Sequence, residues 1–224
     1  GETIPKDLKL KLDHINSIRM GTTVATNALL ERKGAAVCLV TTKGFKDVLQ
    51  IGNQTRPHIF DLTAKKLGQL YSDVIEIDER VTIDTFSEGG GDKLAARTAD
   101  GAFDEESVIP GITGDRIRVL KRPDYKSVKL QLQNLYNEGK INTLAICLLH
   151  SYVFPEHELK VAEIARVIGF NVSTSHLLQP MIGMVNRTSS TVADAYLTPV
   201  INEYIQNFGH GFEGGLELFG NKIL

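Results

Sequence analysis

Cysteine is scarce in this chain: two residues in 224, Cys38 and Cys147, each inside an apolar stretch. That argues against a disulfide framework and for buried thiols in a reducing compartment. A surplus of one charge is missing too, since 25 Lys and Arg face 27 Asp and Glu for a net charge of −2. Such a balance argues against a general electrostatic hold on nucleic acid or an anionic membrane, which needs a basic excess or stripe. No apolar run approaches the ~20 residues that span a bilayer, and the first residues lack the charged-then-apolar order of a secretory signal. Metal signatures are wanting as well. The six histidines include no H-E-x-x-H pair, and neither cysteine has a partner at a usual ligand spacing. What is present is 42% apolar residues, at a length that buries roughly 70% of its unfolded surface. The expectation is a soluble, intracellular globular protein with a cytoplasmic location.

Hydrophobic periodicity supplies the elements. Ile15 to Met20 reads as a short strand, broken by Gly21-Thr22-Thr23, with Thr23 as N-cap of the helix VATNALLERK and Gly34 as its left-handed stop. Ala35 to Thr42 is a continuous apolar run of strand length, the pattern of a strand covered on both faces. Gly44 opens a short helical stretch, and Val74 to Asp84 alternates as a half-exposed strand does. Residues 86 to 115, with Gly89-Gly90-Gly91 and little period, read as surface loop. Tyr125 to Asn137 is an amphipathic helix, and TLAICLLHSY a buried strand. Pro155 opens a helix with Leu159, Ala162, Ile164, Ala165 and Ile168 on its core side and Gly169 as its stop. FNVSTS is a further strand, and Asn186 to Phe208 a long helical pattern that Pro199 must kink or restart. Strands alternating with helices of this length mean α/β with a largely parallel or mixed sheet flanked by helices.

Two stretches look like sites and fail on context. Gly209 to Gly214 fits G-x-G-x-x-G, but it trails a helix where the dinucleotide fingerprint needs a strand before it and a helix after. His150-Ser151 suggests a base and a nucleophile, yet neighbours on a strand point to opposite faces and no G-x-S-x-G surrounds them. Three others keep a chemical reading. Gly21, Thr22, Thr23 and Asn27 place backbone N–H groups and hydroxyls at a helix start, where anions are favoured. The loop GNQTRPHIFDL carries Arg56, held by a following Pro and suited to clamp a carboxylate or phosphate, together with Asp61. NRTSSTVADAYLTP offers Arg187 and Asp194 near a helix start.

The stretches IRMGTTVATNALLERKGA, TTKGFKDVLQIGNQTRPHIFDL, ICLLHSYVFPEHE and VADAYLTPVINEY resemble the hydantoinase A/5-oxoprolinase family, in order from about Ile15 to Phe208. Met20 stands where many hydantoinase relatives carry His, and ADAYLTP is of the oxoprolinase form. The resemblance implies a ribonuclease H-like α/β domain of the actin/sugar-kinase/Hsp70 ATPase type, incomplete here. It implies residues 1–180 as an N-terminal-type region and 181–224 as the start of the following hydantoinase A region. It implies hydrolysis of 5-oxo-L-proline to L-glutamate coupled to ATP cleavage, with Mg²⁺ and K⁺, in the glutathione cycle. An N-methylhydantoinase or a ketone carboxylase ATPase subunit is the alternative enzyme, and a non-catalytic assembly module the alternative class.

The family's D-x-G-G-T phosphate hairpin and its Ser-Asp-Gly-Gly stretch are not in this sequence, and neither is the hydantoinase B-type half. The chain also opens on GETIPKDLKL without an initiator Met and stops at GNKIL. It is therefore expected to be an internal, inactive fragment of a longer protein that is a homodimer when intact. Gly21, Thr22, Thr23 and Asn27 are the expected nucleotide-proximal residues. Arg56, Asp61, Arg187 and Asp194 are the expected substrate-side ones.

Overall fold

The computed structural model describes residues 9–11, 15, 17–53, 68–83 and 108–213. The apolar run after Gly34 forms strand β1 (Val37–Thr42), and all six of its residues are buried. It lies parallel to β2 (Asp73–Ile77) on one side and to β6 (Thr143–Cys147) on the other, with Val37 opposite Thr143. β7 (Asn171–Thr174) pairs parallel with β6 and completes the order β2-β1-β6-β7. Complete burial of β1 and β6 is what parallel strands covered on both faces require. Helices α3 (Tyr125–Asn137) and α4 (Glu156–Ile168) supply much of that cover, and Val128, Leu132, Val161, Ala162 and Ala165 join Val40, Leu144 and Ile146 in one core cluster.

The α3 bounds follow directly from sequence. Asp124 accepts from the Lys126 and Ser127 amides at 3.0 and 3.4 Å, and Gly139 turns the chain away at φ 70°. Gly169 ends α4 at φ 118°, where a Cβ would come within 2.8 Å of the Tyr136 hydroxyl. The core stripe of α4 is shifted from expectation: Leu159 is exposed and Val161 is buried. Val161 lies on one face with His157, Glu158, Ala162 and Ala165, so two polar residues share the buried stripe and mask its period.

Other expectations change in the structure. The alternating stretch 74–84 is two strands in two sheets, β2 and β3 (Arg80–Ile83), because Glu79 turns inward and is buried between them. β3, β5 (Arg116–Lys121) and β4 (Val108–Pro110) form an antiparallel sheet in the order β3-β5-β4, built around Val81, Ile117 and Val119. The segment 108–110, expected as loop, is thus a strand, and β5, not placed by the sequence reading, alternates buried Ile117 and Val119 with arginines as a half-exposed strand does. The run TLAICLLHSY stops being strand at Cys147. Within 15–20, the described residues form no named strand. Short helices α2 (Val48–Ile51) and α5 (Ser175–Leu178) follow β1 and β7.

The chain divides into two compact units, Ala35–Tyr196 and the two ends, Gly1–Gly34 with Leu197–Leu224. The unit made by the ends contains α1 (Val24–Leu30) and a bridge between Leu10 and Phe212, with Ile15, Ile18 and Phe208 packed on Phe212. Helix α6 (Met184–Gly209) runs on through Pro199. α1 ends with Arg32, and not Gly34, in the left-handed region at φ 55°.

Candidate functional site

The strand order places the reversal of winding between β1 and β6: the chain runs outward from β1 to β2 on one side and from β6 to β7 on the other. In open α/β sheets the carboxyl edge at such a point is where ligands bind. Residues at that edge are Thr42 at the end of β1, Leu148 to Phe154 after β6, and Ser175 and His176 after β7.

Two buried carboxylates organise them. Glu158, on the first turn of α4 and 0% exposed, accepts from the Leu148 amide at 3.0 Å and the Ser175 hydroxyl at 3.0 Å. It also accepts from the His176 amide at 3.0 Å and makes a 2.9 Å contact with His176 Nδ1. Burial alone would push this carboxyl up; the hydrogen bonds from the His176 side chain and the Leu148 and His176 amides outweigh it, so its pKa falls below the ordinary value. Glu79 accepts from the Thr42 hydroxyl in a short contact and meets His157 Nδ1 at 2.8 Å. Thr42 Oγ1 in turn accepts from the Leu149 amide at 2.9 Å, which ties the loop after β6 to the end of β1.

Arg187 crosses this arrangement from α6. It is 1% exposed; its guanidinium donates to Ser151 Oγ and to the Leu148 carbonyl, both at 2.9 Å, and lies over the Tyr152 ring at 5.3 Å. Ser151 Oγ also lies 3.0 Å from Ser175 Oγ. Leu148 is therefore gripped twice, through its amide by Glu158 and through its carbonyl by Arg187. His150 follows in the left-handed region at φ 57°, which is rare for a residue with a Cβ. Ser151 is bound to Arg187 and Ser175, so His150 and Ser151 do not form a base–nucleophile pair, although the strand geometry used to reject them does not apply.

Burial, with the Asp73 charge adding to it, pushes the Cys38 thiol up to about 12, and burial raises Cys147 as well. Both are unreactive packing residues.

Of the residues singled out by sequence, Arg187 and Asp194 belong to the Ala35–Tyr196 unit. Asp194 accepts from Ser173 Oγ at 2.6 Å, away from the groups that Arg187 holds. Gly21, Thr22, Thr23 and Asn27 belong to the other unit and are exposed. Thr23 occupies the N-cap position without capping through its side chain; Thr22 Oγ1 accepts the Val24 amide at 3.2 Å instead. Thr23 Oγ1 accepts from the Asn27 side chain at 3.4 Å. Arg56 and Asp61 lie outside the described residues. Among the described residues no three His, Cys, Asp or Glu side chains gather into a set that could hold a metal. Among them, too, no helix is long and apolar enough to cross a membrane.

Residues 2–169 match the sequence model of the hydantoinase/oxoprolinase N-terminal region. The chain belongs to the hydantoinase/oxoprolinase family. Within that family it is 48% identical to the 5-oxoprolinase of Saccharomyces cerevisiae over 94% of its own length and 16% of that protein's. With 5-oxoprolinase 1 of Arabidopsis thaliana it is 48% identical over 96% of its length and 16% of the relative's. The chain thus spans about a sixth of the curated relatives it matches. Among solved structures, the ATP-dependent caprolactamase from Pseudomonas jessenii shares 26% identity at a TM-score of 0.63, covering 88% of this chain and 25% of that one. The α/β class read from the sequence, a largely parallel or mixed sheet flanked by helices, is the class observed, and the four-stranded sheet is parallel throughout.

Glu79, Glu158 and His157 were missed as network members. Their signal was local: three polar residues at positions where the helix or strand period calls for apolar ones.

Proposed function

We propose that this chain is part of an ATP-dependent 5-oxoprolinase, a longer protein that opens 5-oxo-L-proline to L-glutamate. The observation that carries this reading is 48% identity to two 5-oxoprolinases across 94% and 96% of the chain. In the overall change, one water adds across the lactam C–N bond, the ring nitrogen leaves as the amino group, and a second water is consumed as ATP is cleaved to ADP and phosphate. A lactam is a resonance-stabilised amide; ATP, when bound, supplies a phosphoryl group able to make its carbonyl carbon open to water. The Gly21–Thr23 turn has room for an anion, since its residues are exposed and a Cβ on Gly21 would meet nothing within 4 Å. We assign Gly21, Thr22, Thr23 and Asn27 to an anion-facing turn, and keep Arg56, Asp61, Arg187 and Asp194 as substrate-side residues. Arg187 acts there by holding the loop after β6.

The reading further includes a requirement for Mg²⁺ and K⁺, a cytoplasmic location, a hydantoinase B-type partner half in the same protein, and a homodimer. The test is the full-length protein with ATP and 5-oxo-L-proline, measuring glutamate and ADP together, with omission of each cation. Equimolar glutamate and ADP are expected. Turnover of an N-methylhydantoin or a ketone with bicarbonate, and none of 5-oxo-L-proline, would replace this reading by another member of the family.

A further inference from the structure

With Arg32, His150 is one of two non-glycine residues with positive φ among those described, and its ring lies 6.1 Å from that of Tyr152. It is held at φ 57°, and the surrounding bonds over-determine that conformation. The Leu149 amide donates to Thr42; Leu148 is gripped by Glu158 and Arg187; and the His150 carbonyl accepts from the Val153 and Phe154 amides, each at 3.0 Å. Strain maintained in this way clusters where a protein must aim a side chain.

The imidazole is half-buried, and its Nδ1 is buried without a hydrogen-bond partner. A proton on Nδ1 would be a buried donor with no acceptor, whereas a bare lone pair there is cheaper to leave unmatched. The tautomer with hydrogen on Nε2 is thereby favoured, and that N–H is the group left for a ligand. Burial, followed by the Arg187 cation, holds the His150 pKa below 6.5, with Glu79 opposing and Arg80 adding to the effect. The ring is therefore neutral at pH 7 and offers one N–H.

We propose that His150 is a substrate-contacting residue: its Nε2–H, at the carboxyl edge between β1 and β6, donates to an oxygen of the cyclic-amide substrate, with Glu158 and Arg187 as positioning residues. This rests on the 5-oxoprolinase reading for the identity of the substrate.

In the full-length protein, deuterium labelling at the imidazole C2 reports solvent access to a histidine ring, and mass spectrometry reads the peptide that contains His150. Addition of 5-oxo-L-proline with a non-hydrolysable ATP analogue is expected to slow labelling of His150. The matching variant is His150→Asn, since Asn tolerates the left-handed region and its amide stops short of the Nε2 position. The KM for 5-oxo-L-proline is expected to rise about 10- to 100-fold, the loss of one good hydrogen bond, with the thermal unfolding temperature retained. If the wild-type protein hydrolyses 5-oxo-L-proline while His150 stays unprotected, the His150 assignment is overturned and the function stands. If the wild-type protein does not hydrolyse it, the functional reading fails first and the substrate named here fails with it.

Discussion

The carboxyl edge of the parallel sheet and the Gly21–Asn27 turn are both rich in polar residues, and they use them in opposite ways. At the sheet edge, Glu158, Arg187, Ser151 and Ser175 are buried and hydrogen-bond one another and the backbone, with Arg187 Nε left without a partner. In the turn, Gly21, Thr22, Thr23 and Asn27 are exposed and hold little besides each other. Polar chemistry that is buried must be matched or the fold suffers; polar chemistry on a surface turn is free for a ligand. A substitution at the edge should therefore be felt first in stability, and one in the turn first in turnover.

Four measurements on the full-length protein can break or sharpen that contrast. Glu158→Ala strips partners from two amides, a hydroxyl and an imidazole, and should cost about 3–5 kcal/mol in the unfolding transition that includes this segment. A loss under about 1 kcal/mol would mean that water replaces the carboxylate and the edge is not sealed. Glu79→Ala strips only Thr42 and His157, so about 1–3 kcal/mol is expected, a smaller loss by the same method.

The pH dependence comes third. Glu158 titrates below its ordinary 4.5 in the fold, so the unfolded chain takes up its proton first. The stability it contributes is complete above pH 4.5 and drains away as the pH drops through the lower folded value. Denaturation curves for Glu158→Gln should be flatter than wild type in that acid range and parallel to it at neutral pH; equal acid slopes would remove Glu158 as the cause. The smallest stability change, within about 0.5 kcal/mol, belongs to Thr22→Ala with Thr23→Ala. ATP-dependent turnover of that double variant should nonetheless fall, and an unchanged rate would leave the turn a surface feature.

What the sequence revealed was the part written in local patterns. Asp124 and Gly139 bracket α3, and the apolar runs around Leu39 and Leu144 mark the two central strands. What it concealed depends on distant partners. Nothing near Glu79 announces His157, so the break between β2 and β3 read as continuous alternation. Arg187 was legible as a substrate-side candidate, but not its hold on Ser151 and the Leu148 carbonyl, which come from a loop 36 and 39 residues away. His150 looked like the end of a strand, since a left-handed residue is invisible unless it is Gly or Asn. The family resemblance included the stretch that holds all of these, ICLLHSYVFPEHE, without saying which letters carry structure.

The central strand pair has a consequence for how the protein is made. Val37 pairs with Thr143, so a ribosome must extend the chain past β6 before β1 gains that neighbour. Until then VCLVTT, buried along its whole length in the finished fold, is an open apolar strand edge. Late pairing of this kind is slow and prone to association with other chains. The nascent polypeptide should lean on chaperones through that interval, and mutations that delay β6 should lower yield before they lower the stability of whatever molecules finish.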